Sequence, residues 1–173
     1  MQKIKNFFNK KNIYRILSLF FLLCAAGIIA FIFGNSSKDS TQSSNDSDKI
    51  VEKVEEVCEE IGIQTDTSTV SHCVRKSAHF FEFMLLGACL SLSAIFAFGK
   101  KAWIFAIVST VISFAVAMTD EFLFQANSAG RSPEFRDVLL DTSGALTAVI
   151  IVSLIYLLII KIAERKKKEV EKS

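Results

Sequence analysis

Four apolar blocks separated by charged stretches decide what this chain can fold into. They run over residues 14–34, 78–98, 102–119 and 142–160. A helix rises about 1.5 Å per residue and the hydrocarbon core of a bilayer is about 30 Å thick, so a block of roughly 20 residues spans it. Lipid offers no partners to backbone N–H and C=O groups, so each spanning block must satisfy them internally as a helix. The overall hydrophobic fraction, 51%, decides less, because soluble domains reach roughly 45–50%. The blocks therefore predict an all-α membrane protein with four transmembrane helices and one polar insert, rather than two soluble domains.

The first block is expected to remain as an anchor. Its apolar run is longer than the roughly 7–15 residues of a signal-peptide core, and no small-x-small cleavage site comes after it. Leu22 and Leu23 stand before Cys24 where lipoprotein processing needs small residues.

Lysine and arginine set the expected orientation. Lys3, Lys5, Lys10, Lys11 and Arg15 flank the first block, Lys100 and Lys101 separate the second from the third, and Lys161 to Lys172 carry the tail. With four spans these clusters share one side, and the positive-inside rule makes that side, with both termini, cytoplasmic. The net charge of +2 hides this asymmetry. Topology already accounts for the basic residues, so nucleic acid is not expected as a partner; membrane lipids are, including anionic lipid near the tail.

The chain divides into a basic flank and first span (1–34), an extracellular polar segment (35–69), a three-span region (70–161) and a basic cytoplasmic tail (162–173). Within the polar segment, NSSKDSTQSSNDSD (35–48) has no apolar residue and reads as a flexible linker. KIVEKVEEVCEEIG (49–62) places Ile50, Val54, Val57 and Ile61 at helical spacing. This predicts a short amphipathic helix lying on the outer membrane face or against the spans, with Ser47 or Asp48 as cap and Gly62 at its end. A disulfide between Cys58 and Cys73 is open to the chain, since both fall on the outer side. Cys58, His72, Cys73 and His79 do not match a zinc-site spacing.

The polar residues at the outer ends of the spans are the candidates for function. Arg75, His79 and Glu82 are spaced i, i+4 and i+7, which lines them along one helix face, with Lys76 beside them. Glu121 and Gln125 share a face if the third span continues as helix. Ser132 and Pro133 read as N-cap and first position of the last helix, from which Asp137, Asp141 and Gly144 form one stripe. Gly144 allows a neighbouring helix to come close. Arg75, Lys76, His79, Glu82, Asp120, Glu121, Gln125, Arg131, Asp137 and Asp141 thus converge from three spans on one membrane depth. Ionisable groups there cost roughly 2.5–3.5 kcal/mol each on insertion scales and mark a functional site by default. Structural ion pairing is the alternative.

The chemistry of the set leaves more than one use open. His79 with Glu82 or Glu121 has the composition of a general acid–base pair, but no nucleophile stands in a recognisable setting. His79, Glu82, Asp120 and Glu121 carry metal-donor atoms, yet no metal is predicted. No phosphate-binding glycine loop, GxSxG or HExxH occurs, and no cofactor is predicted.

RKSAHFFEFMLLG (75–87), DEFLFQANSAGR (120–131) and RDVLLDTSG (136–144) resemble, in order, the motifs of the VanZ family of small bacterial membrane proteins. The resemblance covers roughly residues 70–160 and takes in Arg75, Lys76, His79, Glu82, Asp120, Glu121, Gln125, Arg131, Asp137 and Gly144. Asp141 departs from it, standing where the family pattern has Asn. The resemblance implies a small integral membrane protein of bacteria and an association with teicoplanin resistance, which fits the multi-pass topology and the outward-facing polar cluster expected from the lysine and arginine distribution. The cations Arg75, Lys76 and Arg131 suit the phosphate or carboxylate of an envelope lipid headgroup, a peptidoglycan precursor or a lipoglycopeptide as the expected ligand. An intramembrane hydrolase or transferase acting on a lipid-linked headgroup, and a structural membrane partner, are the alternatives.

Overall fold

A computed structural model describes residues 9–38, 40–99, 102–128 and 132–171, with side chains described over the same ranges apart from 40–46 and 102–105. The described residues are predominantly helical, with no strand among them. α1 is Lys10–Ser36, α2 Ser40–Glu60, α3 Thr67–Phe98, α4 Ala102–Thr119 and α5 Phe135–Val170. A π-helical turn, Asp120–Phe124, and a 3-10 turn, Gln125–Asn127, extend α4. Four of these segments are long and apolar enough to cross a membrane: Lys10–Ser36, Thr67–Phe98, Ala106–Asn127 and Phe135–Val170. The four spans expected from the apolar blocks are therefore present: three lie within longer helices, and the block 102–119 coincides with α4.

Antiparallel packing follows from contacts at two levels. At one end of the bundle Ser36 of α1 bonds Asp120, and Asn35 bonds Glu82 of α3. At the other, the Ser93 hydroxyl of α3 donates to the Ser18 carbonyl of α1 at 2.9 Å, and the Phe21 and Phe96 rings stack. α3 is the central element, packed most extensively on α5 and α1. Ile32, Phe83, Leu86, Ala117, Val138 and Ala145 are fully buried between the helices.

α3 and α5 meet backbone to backbone. A Cβ added at Gly144 would collide with the Phe80 carbonyl of α3, and one added at Gly87 with the Ala145 carbonyl of α5. Small residues at facing positions let helices in lipid approach to backbone contact. The close approach expected of Gly144 is present, and Gly87 is its counterpart on α3. Leu19, Leu23, Phe31, Leu85, Val111 and Leu154 face outward and exposed, as lipid-facing positions do.

The polar segment differs from its expected form. Residues from Ser40 onward, read as flexible linker, are helical in backbone, and Ser47 and Asp48 lie inside α2 rather than capping it. Neither proline nor glycine interrupts that run, and extending a formed helix fixes one residue per added hydrogen bond. The predicted end is correct. Gly62 has φ +76°, the Ile63 N–H donates to the Cys58 carbonyl and the Gly62 N–H to the Glu59 carbonyl, which is a Schellman closure. α2 packs against α3; among its described side chains Val51 is buried, while Ile50, Val54, Val57 and, just beyond the helix, Ile61 stay exposed. Cys58 and Cys73 are both free thiols, so the disulfide is not formed.

α3 starts at Thr67, well before the apolar block, with Asp66 ahead of it. The Ser68 hydroxyl donates to the Asp66 carboxylate and holds its carboxyl below the usual range. The last helix starts later than expected: Glu134, not Ser132, is its N-cap, and Phe135, not Pro133, its first residue. The reason is tertiary. The Glu134 N–H is taken by the Glu121 carboxylate at 2.7 Å, and the backbone there is held extended at φ −128°, ψ 124°.

Candidate functional site

The site lies where the α1 C-terminus, the middle of α3, the π-helical turn and the first turns of α5 meet. Asp120 and Glu121 are adjacent in sequence but serve different neighbours. Asp120 Oδ2 accepts the Ser36 hydroxyl at 2.8 Å and the Gln125 side-chain amide at 3.1 Å. Glu121 Oε1 accepts the Glu134 N–H, and its Oε2 accepts the Gln125 amide at 2.7 Å. Gln125 therefore bridges both carboxylates. It can do so because the π-helical turn spans 120–124, and the Gln125 N–H reaches back to the carbonyls of both Asp120 and Glu121. Such turns occur mostly as single-turn bulges and are frequent at functional sites.

α1 closes one side of this arrangement. Asn35 Nδ2 donates to Glu82 Oε1 at 3.0 Å. The Ser128 hydroxyl donates to the Ser36 carbonyl at 2.8 Å, and the Phe33 and Phe124 rings stack with centroids 4.3 Å apart. The first span is thus part of the site.

A polar cavity of about 130 Å³ opens between α3, the Gln125 turn and α5. Arg75, Lys76 and His79 line it from α3, and Asp137 and Asp141 from α5. Lys76 Nζ lies 2.6 Å from Asp137 Oδ1, both side chains partly exposed. His79 Nδ1 lies 3.7 Å from Glu82 Oε2, within ion-pair range and beyond hydrogen-bond length. Asp141 is 2% exposed, and its Oδ2 has no hydrogen-bond partner. One donor atom each from His79, Asp120 and Asp141 falls within 4.8 Å of the others.

A family model described as VanZ/LLP1 matches residues 19–157. The chain belongs to the VanZ/LLP1 family. No curated protein and no solved structure matches it. As a VanZ/LLP1 protein with four membrane-crossing helices, it is a multi-pass membrane protein. The matched stretch begins inside α1, ahead of the motifs, in keeping with the residues α1 supplies.

The candidate residues of this VanZ/LLP1 chain separate into two groups. Arg75, Lys76, His79, Gln125, Asp137 and Asp141 line the cavity; Glu82, Asp120 and Glu121 stand beside or behind it, held by Asn35, Ser36, Gln125 and Glu134. The Arg75–His79–Glu82 stripe therefore divides, with Glu82 turned toward α1. Arg131 lies outside the described residues. Sequence reasoning missed Asn35, Ser36, Ser128 and Glu134. The signal for the first two was present as a polar pair closing an otherwise apolar span.

Proposed function

We propose that the cavity binds an anionic headgroup at the outer membrane face: the phosphate or carboxylate of an envelope lipid, a peptidoglycan precursor or a lipoglycopeptide. One observation carries this reading. Two cations, Arg75 and Lys76, line a polar cavity at the ends of membrane helices, where a headgroup lies. Arg offers a planar fork for two oxygens, and Lys a compact point charge. Gln125, Asp137 and Asp141 supply a wall that takes donors such as amines and hydroxyls. The clustering of lysine and arginine at the opposite ends of the spans supports an outward-facing cavity in a bacterial plasma membrane. A contribution to teicoplanin resistance fits a headgroup site in that compartment.

The test uses purified protein in nanodiscs and a lipid-linked peptidoglycan precursor as the probe. Wild type is expected to bind it, and Arg75→Gln to bind at least tenfold more weakly at unchanged folded yield. Equal binding by both, or none by wild type, would overturn the reading.

A second reading has one observation in its favour. Glu82 lies 3.7 Å from the His79 imidazole, and His79 lines the cavity, so the carboxylate is placed to orient an acid–base histidine. Turnover of a lipid-linked headgroup by wild type, lost in His79→Gln with binding retained, would support an enzyme. Binding without turnover would support the headgroup site alone.

A further inference from the structure

We infer that His79, Asp120 and Asp141 form a binding site for a divalent transition-metal ion at the base of the cavity. One donor atom from each lies within 4.8 Å of the others. These donors come from three different segments, α3, the π-helical turn and α5, so the cluster is assembled by the fold and is not a run of neighbouring acids.

Burial gives an independent reason. Asp120, Glu121 and Asp141 are 0%, 1% and 2% exposed, and no lysine, arginine or histidine is fully buried with them among the described residues. Asp141 lines the cavity, and its Oδ2 has no hydrogen-bond partner. Buried charges are paired or coordinate metals. Asp137 already has the Lys76 ammonium, whereas the buried Asp141 Oδ2 has no hydrogen-bond partner.

The surroundings suit metal ligands. Ser36 and Gln125 fix one oxygen of Asp120, and Glu82 sits beside His79 Nδ1. Carboxylates and hydroxyls in such positions orient metal-bound histidine and carboxylate and set the histidine tautomer. One imidazole and two carboxylates make a mixed N and O donor set, suited to Zn²⁺ or Mn²⁺. With bonds of about 2.0–2.2 Å, tetrahedral ligand atoms sit roughly 3.3–3.6 Å apart. Binding therefore draws the three donors together by about an ångström, within reach of side-chain rotation.

Three protein ligands leave a coordination position open, as in catalytic rather than structural zinc sites. That position faces the cavity lined by Arg75 and Lys76. This last step rests on the headgroup reading above: the ion takes one oxygen of the anion while the side-chain cations take others. The metal site itself does not depend on that reading.

The test uses full-length protein in detergent, stripped with a chelator and titrated with Zn²⁺ and Mn²⁺ alone, with no lipid. Elemental analysis of washed protein gives the stoichiometry, and the visible spectrum of the Co²⁺-loaded protein reports the coordination. One ion per chain is expected. Asp141→Asn, nearly equal in shape, is expected to lower affinity at least tenfold with an unchanged circular dichroism spectrum. His79→Gln provides a second variant should Asp141→Asn not fold. Glu59→Gln, exposed near the end of α2 and outside the cavity lining, is expected to bind as wild type does. No uptake of either ion by the wild type, or undiminished affinity in folded Asp141→Asn or His79→Gln, would overturn the inference. Because no lipid is present, that outcome leaves the headgroup reading standing. Loss of headgroup binding with metal retained would have the reverse meaning.

Discussion

The Ser36 hydroxyl donates a 2.8 Å hydrogen bond to Asp120 Oδ2, joining residues 84 apart in sequence inside the bundle. Both side chains are fully buried. This bond fastens the end of the first span to the turn that carries two of the candidate carboxylates. Removing a donor from a buried charged acceptor costs roughly 1–3 kcal/mol or more. Ser36→Ala is therefore expected to lower stability by about that much, measured by thermal unfolding in detergent. A change below about 0.5 kcal/mol would mean that Gln125 alone satisfies Asp120.

Helix packing gives a paired prediction. Gly144→Ala and Gly87→Ala each drive a Cβ into the carbonyl of the facing helix, and overpacking of this kind costs on the order of 1–3 kcal/mol. Gly27→Ala, with nothing within 4 Å of the added atom, is expected to be neutral or to stabilise by up to about 1 kcal/mol through helix propensity. Folded yield after membrane extraction separates the two classes. Similar yields for all three would show that α3 and α5 are not held in backbone contact.

Lys76 and Asp137 should matter more to binding than to stability. Their side chains are 30% and 24% exposed, and pairs of that kind contribute about 0–1 kcal/mol. Lys76→Gln and Asp137→Asn are expected to lower stability by less than about 1 kcal/mol each, with little coupling in a double-mutant cycle. Lys76→Gln should still weaken binding of the lipid-linked precursor severalfold. A precursor affinity equal to wild type would remove Lys76 from the ligand set.

Orientation can be read through one thiol. Cys73 is exposed in the first turns of α3, ahead of the apolar block 78–98 and close in sequence to the cavity-lining Arg75. In a Cys58→Ser background, a membrane-impermeant maleimide added to intact cells is expected to label Cys73. Labelling that appears only after lysis would put the cavity on the cytoplasmic side.

The spans were legible because each had to be long and apolar whatever it packed against. Gly144 was legible too, since a small residue in a polar stripe has few other uses in a membrane helix. Tertiary bonds were not. Nothing local announces that the Glu134 N–H will be captured by Glu121, so Ser132–Pro133 looked like a helix start. The Arg75–His79–Glu82 stripe was correctly placed on one helix, but spacing does not say that Asn35 will draw Glu82 toward α1. The exposed Ile50, Val54, Val57 and Ile61 have the same cause: periodicity identified an apolar face of α2, while the residue it buries is Val51.

The turn at Asp120–Phe124 makes chain length itself part of the site. A π-helical turn carries one residue more than the α-helical turn it replaces. A one-residue deletion there would return the segment to α-helical register and rotate α4 by about 100° relative to the Gln125 turn and α5. Every carboxylate would still be encoded, yet Asp120 would swing away from Ser36 or Glu121 away from Glu134. Counting residues between motifs is therefore as informative as matching their letters when asking whether a related chain retains this arrangement.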